Sequence, residues 1–275
     1  MISGHYINLD KAVEKRRTFD QQLNILKLDG YIQRFIGVEP SANLPKGLSR
    51  GEYGCMLSHL NLLKNQTSEY QLVFEDDIEI GPQFPGLISK LPESLFLQND
   101  FVIFGYGINI FDYNLIKNLT EVVNGNVNDL YDPGLNTQHI TILDCKDWYR
   151  HGTFAYAVNK NAYPKLMSLI DNQASTDNIE PIDLVMKRGF KSGVLSGVIA
   201  FPPVISVNND FTSQMIDRED VSTKSHIELS NLFVRNYDPT ASTVRTLEHI
   251  SSEQMMRASK IASLLEKFLQ PQPVV

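Results

Sequence analysis

The sequence predicts an α/β protein with a mixed, mainly parallel central sheet and a helical appendage at its C-terminal end. Three observations predict this class. Short apolar, β-prone runs alternate with segments of helical periodicity over residues 5–200. Pro202 and Pro203 then end the last such run. The final residues carry one long amphipathic pattern, so we divide the chain into a main domain, 1–215, and a helical extension, 216–275.

The first predicted unit is a strand, a helix and a second strand. The run His5–Leu9 predicts the first strand, and Asp10 is placed to cap a helix over Glu14–Leu28. Apolar residues recur at near-helical spacing in that segment, and Tyr31–Val38 predicts the second strand. This order is the start of an α/β unit.

A second helix and a buried strand come next. Leu48–Asn65 has the apolar spacing of a helix, and Ser49 followed by Glu52 forms a capping-box pattern at its start. The strand Tyr70–Phe74 is short and largely apolar. It leads directly into three consecutive acids, Glu75–Asp77.

The remaining elements are less regular. Residues 107–148 are rich in Asn, Asp and Gly, which is typical of an irregular insertion of the kind that covers a substrate. The pattern over Thr246–Leu269 predicts an amphipathic helix that stops before Pro271. The other predicted elements are the strands Phe101–Tyr106, His139–Leu143, Phe154–Val158 and Val194–Ala200, and the helices Lys160–Ile170 and Ile179–Arg188.

The composition excludes several classes of protein. The 275 residues include only two cysteines, too few for a disulfide framework or a cysteine-based zinc module. The net charge of -7 argues against nucleic-acid binding, which needs a field of Lys and Arg. No apolar stretch approaches the roughly 18 residues of a membrane span, and the polar start is unlike a signal peptide. We therefore expect a cytoplasmic protein without a transmembrane segment.

The acidic run Glu75–Asp77 is the strongest chemical signal. Three adjacent carboxylates repel one another, and a divalent cation bound by their oxygens removes that repulsion. Hard oxygen ligands suit Mn²⁺ or Mg²⁺. The carboxyl end of a strand in an α/β sheet is also where ligands bind. The alternative is a solvated acidic turn.

A second group of polar residues follows the first predicted strand. Asn8 and Asp10 can hydrogen-bond a base or ribose, and Arg16 or Arg17 can grip a phosphate. The alternative is an ordinary strand and a capped amphipathic helix. No glycine-rich phosphate loop is present, so a nucleotide would be held by a metal ion and an arginine.

A third group lies on the second predicted helix. Glu52 and His59 share a face two turns apart, and His59 lies one turn from Cys55. Zinc would need more ligands than this face provides. The alternative for His59 is a packing residue, and nothing near Cys55 in sequence except His59 would lower the pKa of its thiol.

These groups together resemble a known family. The match runs over about Ile7–Ser213 and resembles the bacterial lipooligosaccharide galactosyltransferases of glycosyltransferase family 25. The motifs, in order, are Ile7–Asp10 with Arg16–Arg17, Gly51–Cys55 with Ser58–His59, Leu72–Asp77, Gly152 with Ala155–Tyr156 and Ala162, Pro181 with Asp183, and Pro202–Val204.

The resemblance implies a fold and a reaction. The main domain would have a GT-A-like nucleotide-sugar fold and use a UDP-sugar, usually UDP-galactose, with Mn²⁺ or Mg²⁺ on the diphosphate. It would transfer the hexose with inversion to a saccharide or lipid-linked saccharide acceptor of lipooligosaccharide or another surface glycan.

The resemblance also implies roles for single residues. Asp77 would be the chief metal ligand, and Asp183 or Glu180 would be the carboxylate base. The alternative for Asp183 is a helix-terminal acid that interacts with the helix dipole. The other roles are metal or ribose contact for Glu75 and Asp76, donor binding for Asn8, Asp10, Arg16 and Arg17, and an acceptor-side or structural role for Glu52, Ser58 and His59.

Two other functions fit the same residues: a non-catalytic sugar- or nucleotide-binding relative, and a metal-dependent nucleotide-sugar hydrolase. The C-terminal helix could pack on the main domain, form a homodimer or lie on the inner face of a membrane. From Asp217 onward acidic and basic residues nearly balance, which favours packing or dimerisation over attraction to an anionic bilayer.

Overall fold

A computed structural model describes residues 2–40, 43–108, 139–174, 179–208 and 243–246, with the single positions 112, 114, 115, 118, 256, 259 and 260. The strands are β1 (Gly4–Asn8), β2 (Ile32–Ile36), β3 (Tyr70–Glu75), β4 (Ile78–Ile80), β5 (Phe101–Gly107), β6 (His139–Asp144), β7 (His151–Asn159), β8 (Gly197–Phe201), β9 (Ile205–Val207) and β10 (Thr243–Thr246). The helices are α1 (Val13–Ile25), α2 (Arg50–Lys64), α3 (Phe84–Lys90), α4 (Glu93–Gln98), α5 (Cys145–Trp148), α6 (Ala162–Ala174) and α7 (Ile182–Ser192).

Eight strands form one sheet in the order β10-β6-β8-β5-β7-β3-β1-β2. Strand β1 pairs in parallel with β2 and β3, β5 with β8, and β6 with β10. Strand β7 is antiparallel to both of its neighbours, β3 and β5, and β6 is antiparallel to β8. Strands β4 and β9 form a separate antiparallel pair. The prediction of an α/β protein with a mixed sheet is therefore confirmed.

Several strands end at the same edge of the sheet, and the candidate active site lies at that edge. Strands β1, β2, β3 and β5 all end there, because β3 and β5 both run against β7. Strand β7 begins at this edge, where His151 pairs with Gly107. Strand β6 also begins there, so the chain leaves this edge after Gly107 and returns to it at His139.

Helices cover both faces of the sheet, as the period-two pattern of its strands requires. In β3, Val73 faces the core beneath α2, α6 and α7, whereas Leu72 and Phe74 face the core beneath α1 and α3. Phe19 of α1 and Met56 of α2 are both fully buried in these cores. Each such side chain contributes about 1.5–3 kcal/mol when removed from water.

The start of α1 differs from the prediction. The helix begins at Val13 after Ala12, and no side chain caps it. Asp10 instead accepts a hydrogen bond from Arg34 Nη2 at 2.7 Å. The predicted Asp10 cap was wrong, because the turn out of β1 uses two more residues than the sequence pattern indicated.

The start of α2 agrees with the prediction. Ser49 Oγ accepts a hydrogen bond from the Glu52 N–H, and the Glu52 carboxylate accepts one from the Ser49 N–H at 2.8 Å. Gly54 lets this helix approach the segment after β2, since a Cβ there would lie 2.8 Å from the Val38 carbonyl oxygen. The capping box and this close approach fix the helix against the end of β2.

The C-terminal region contains an element that was not predicted. Strand β10 joins the sheet beside β6. The predicted helix over Thr246–Leu269 and the 216–275 extension otherwise lie outside the described residues, apart from three helical positions between 256 and 260. The predicted insertion at 107–148 ends in β6 and α5, and most of 109–138 lies outside the described residues. No helix in the described part of the chain is long and apolar enough to span a bilayer.

Candidate active site

A cleft of about 490 Å³ opens at the carboxyl ends of β1, β2 and β3. Its walls come from the turn between β1 and α1, the segment 38–40, the first half of α2 and the acidic run Glu75–Asp77. This position follows from the topology, because parallel strands direct their carboxyl ends to one edge and leave a crevice there.

Two of the three acids in this cleft contact one lysine. Lys15 Nζ lies 3.0 Å from Asp77 Oδ2 and 3.6 Å from Asp76 Oδ1. Asn8 Nδ2 donates a hydrogen bond to Asp76 Oδ2 at 2.6 Å. The side chains of Lys15, Asp76 and Asp77 are each less than one-sixth exposed, so water screens these charges little.

The pKa values of this cluster reflect burial first and the neighbouring charges second. Burial raises the pKa of Asp76 to about 6, although Lys15 and Asn8 act in the opposite direction. Burial and the charge of Glu75 raise the pKa of Asp77. Burial alone would lower the pKa of Lys15, but Asp77 and Asp76 outweigh it and raise that pKa. Around Lys15 there are three carboxylates, those of Glu75, Asp76 and Asp77, to one ammonium, and this negative excess is what a further cation would balance.

Glu75 turns toward α2 and β7. Its Oε1 accepts a hydrogen bond from Thr153 Oγ1 at 2.6 Å and lies 3.6 Å from His59 Nε2. The other ring nitrogen, His59 Nδ1, lies 2.6 Å from the Tyr156 hydroxyl. Burial would raise the pKa of Glu75, yet His59 and Thr153 together bring it below its ordinary value. Glu75 is therefore an ionised carboxylate that Thr153 and His59 stabilise.

Lys15 was missed by the sequence analysis, which chose Arg16 and Arg17 instead. Lys15 precedes the buried Phe19 by four residues, so both side chains lie on the inner face of α1. Arg17 is exposed and pairs with Glu14 at 2.7 Å. Arg16 lines a separate depression beside Tyr6 and Asp20. The helical spacing of the apolar residues in α1 places Lys15 on its inner face, and this spacing is the signal in the sequence that could have identified Lys15.

Asn8 and Asp10 form hydrogen bonds with other side chains of the protein. Asn8 is 1% exposed, and its Oδ1 accepts a hydrogen bond from Arg34 Nε at 2.9 Å. Because its Nδ2 binds Asp76, Asn8 connects Arg34 to the acidic run. Asp10 is largely exposed and contacts the same guanidinium.

Glu52 and Ser58 contact backbone groups of α2 and its surroundings. Glu52 belongs to the capping box. Ser58 Oγ accepts a hydrogen bond from the Val38 N–H at 2.8 Å and donates one to the Gly54 carbonyl oxygen. These contacts fit the structural alternative for both residues, and Ser58 also lines the cleft, as His59 and Glu75 do.

The two predicted base candidates have different surroundings. Glu180 forms an ion pair with Arg188 at 2.6 Å and also contacts Gln173. Neither Glu180 nor Asp183 is among the residues that line the cleft. Asp183 accepts hydrogen bonds from the N–H groups of Gly152 and Leu184 in the first turn of α7. Gly152 directly precedes Thr153, which donates a hydrogen bond to Glu75, so these contacts connect Asp183 to the cleft.

The comparison with known families covers the whole of this site. A search of curated proteins returns no match. The sequence profile described as "Glycosyltransferase family 25 (LPS biosynthesis protein)" matches residues 1–186. That range is more than half of the chain and contains the entire cleft together with Asp183. The chain therefore belongs to glycosyltransferase family 25, a family of lipopolysaccharide-biosynthesis glycosyltransferases.

Proposed function

We propose that the protein transfers a hexose, galactose in the first instance, from a UDP-sugar to a saccharide acceptor of lipooligosaccharide or another surface glycan, with inversion at the anomeric carbon. The observation that carries this proposal is the acidic run Glu75–Asp77, which lies in a cleft at the carboxyl end of β3 with Lys15 as its cationic partner. Family membership supplies the reaction class, and the negative excess supplies a reason for a metal-bound diphosphate.

A GT-A-like fold is the architecture that we propose for residues 1–215. The parallel strands β2, β1 and β3, the acidic run after β3 and the antiparallel β7 beside it support this assignment. In such a sheet the nucleotide lies across the strand ends, where the cleft opens.

Mn²⁺ or Mg²⁺ fits the oxygen donors of the cleft. Asp76 and Asp77 supply hard carboxylate ligands, and burial together with the neighbouring acids raises the pKa of each. Glu75 is engaged by Thr153 and His59, which makes it the less available of the three. When bound, the ion would act as a Lewis acid on the leaving diphosphate.

Basic side chains in the same cleft suit a diphosphate. Lys11, Lys15 and Arg50 all line it, at its β1–α1 and α2 sides. Lys15 is directed at the acids already, so a donor diphosphate bound there would meet its ammonium. These three cations would neutralise charge on the leaving group as the glycosidic bond breaks.

Asp183 is the base that the contacts favour. The acceptor hydroxyl would attack the anomeric carbon, and its proton would pass to Asp183 while the bond to the UDP oxygen breaks with its electron pair. Two N–H contacts hold the Asp183 carboxylate in place, whereas Glu180 is already paired with Arg188.

Calorimetry and product analysis test this proposal. Purified protein with Mn²⁺ should bind UDP-galactose, and a suitable acceptor should yield a β-linked product from the α-linked donor. Absence of binding to any UDP-sugar would end the proposal. Release of free sugar at the same rate with and without acceptor would instead identify a nucleotide-sugar hydrolase, and binding without any turnover would identify a non-catalytic relative.

A further inference from the structure

Cys55, His59 and Glu75 form a second group of metal-ligating side chains in the cleft. One ligand atom from each, the thiol sulfur, an imidazole nitrogen and a carboxylate oxygen, lies within 4.8 Å of the other two. Cys55 and His59 are one turn apart on α2, and Glu75 comes from the end of β3. The sequence offered only the helical pair, too few for zinc, and the sheet supplies the third ligand.

Neighbouring residues hold two of these ligands in orientation. The Tyr156 hydroxyl contacts His59 Nδ1 at 2.6 Å, which leaves Nε2 on the side of Glu75. Thr153 Oγ1 donates to Glu75 Oε1 at 2.6 Å. Metal-binding histidines are held by the same type of contact through their second nitrogen, and ligating carboxylates are in turn hydrogen-bonded.

The donor set selects zinc rather than manganese. A thiolate and an imidazole are ligands for borderline-soft ions, whereas Mn²⁺ and Mg²⁺ prefer oxygen. One thiolate and one carboxylate balance the two positive charges of Zn²⁺, so the loaded site is neutral, as a site with His59 at 1% exposure requires. Binding releases the thiol proton of Cys55 to solvent.

We propose that Cys55, His59 and Glu75 bind a zinc-class ion, separate from the oxygen site of Asp76 and Asp77. Tetrahedral zinc with ligands at about 2.0–2.3 Å holds their atoms roughly 3.3–3.8 Å apart. His59 Nε2 and Glu75 Oε1 already lie 3.6 Å apart, and all three ligand atoms lie within 4.8 Å of one another. The remaining closure is therefore on the order of 1 Å. Three protein ligands leave the fourth position free on the cleft side, since all three residues line the cleft. Water or a substrate oxygen is its ligand.

Cobalt spectroscopy tests this site on the full chain. Chelator-treated protein is titrated with CoCl₂ without oxygen, and the near-ultraviolet spectrum is followed. We expect a thiolate-to-cobalt charge-transfer band that saturates at one ion per chain and disappears when Zn²⁺ is added. Cobalt bound only to Asp76 and Asp77 gives no such band, so an absent band in the wild-type protein overturns the proposal.

The second free cysteine provides the matched control. Cys145 is buried on α5, outside the cleft. The band should be lost in Cys55→Ser and kept in Cys145→Ser. Retention of the band in folded Cys55→Ser, or its loss in folded Cys145→Ser, overturns the assignment.

Tyr156→Phe gives an answer even if Cys55→Ser does not fold. Removal of the hydroxyl that orients His59 should weaken cobalt binding by about 10–100-fold with the same band shape. An unchanged affinity contradicts the proposed site. The spectrum requires no donor or acceptor, so its failure would leave the transferase proposal standing, and loss of UDP-sugar binding would leave the zinc site standing.

Discussion

Buried acids at opposite edges of the sheet, Asp100 at one and the run Glu75–Asp77 at the other, have different partners. Asp100 lies where β5 begins, with its side chain 5% exposed. Each of its carboxylate oxygens accepts a hydrogen bond from Lys165 Nζ at 2.8 Å, and Oδ2 also accepts one from the Ser196 N–H. One carboxylate there meets one ammonium.

The acidic run Glu75–Asp77 lies at the opposite edge, where β3 ends. Asp76 and Asp77 both contact Lys15, whereas Glu75 contacts Thr153 and His59. The comparison teaches that burial alone does not mark a functional acid. Asp100 is neutralised within the protein and joins the starts of β5 and β8, whereas the cleft places three carboxylates around one ammonium, and we propose that a cation from outside balances them.

Asp77→Asn gives the largest expected effect. The substitution removes one metal-binding charge and should lower the rate of hexose transfer by on the order of 10³-fold, the several kcal/mol that a Lewis acid supplies. Steady-state transfer with Mn²⁺ measures it, with far-ultraviolet circular dichroism as the check on folding. Turnover close to the wild-type rate would remove Asp77 from the metal site.

Asp100→Ala should lower the stability of the protein without lowering the rate of hexose transfer. It leaves the Lys165 ammonium without its carboxylate, and should lower the free energy of unfolding by about 2–3 kcal/mol, less than for a fully buried pair because Lys165 is partly exposed. Urea unfolding measures this loss. The rate of hexose transfer per folded molecule should be unchanged. A lower rate in protein that is still folded would contradict the view that Asp100 is structural and the acids of the cleft are functional.

Asp76→Asn should stabilise the metal-free protein. The folded pKa of about 6 lies above the ordinary 3.8, so the folded state holds its proton more tightly than the unfolded state. The stability from that proton is complete below pH 3.8 and is lost as the pH rises through about 6. In chelator at pH 7.5, the variant should therefore be more stable by about 1–2 kcal/mol.

The same variant should lose this advantage in acid. Thermal unfolding at a series of pH values in chelator should show the difference between variant and wild type shrinking toward pH 4. A difference that is independent of pH would mean that the Asp76 charge is not the cause.

The smallest expected effect is that of Lys15→Met, for which Arg17→Met is the matched control. Lys15 is buried against the acids, so its removal should destabilise the metal-free protein by about 1 kcal/mol and increase the stabilisation produced by Mn²⁺. Arg17 has only an exposed partner and should change stability by less than about 0.5 kcal/mol. Equal effects of both variants would contradict the placement of Lys15.

Local signals in the sequence predicted the elements around the cleft. The strand before Glu75 and the capping box at Ser49 are encoded by adjacent or nearly adjacent residues, so both could be predicted without the fold. The position of three acids at the carboxyl end of a strand was likewise visible in the sequence, and it identified the edge of the sheet where the cleft lies.

Contacts between distant segments were not predictable in this way. Thr153 reaches Glu75 because β7 runs against β3, a direction that no local pattern encodes. The pairing of Glu75 with His59 depends on how α2 crosses the sheet. Strand β10 was missed because a short edge strand has little periodicity of its own.

The start of β6 lies at the same edge as the end of β5, with β8 between the two strands, and this has a consequence for how the protein could diversify. Both anchor points of the segment between Ile108 and His139 lie at the edge that carries the acids. We expect that exchanging this segment between relatives would change which acceptor is used and leave the donor chemistry and every strand in place. Acceptor choice would then be a modular property, inherited separately from the reaction itself.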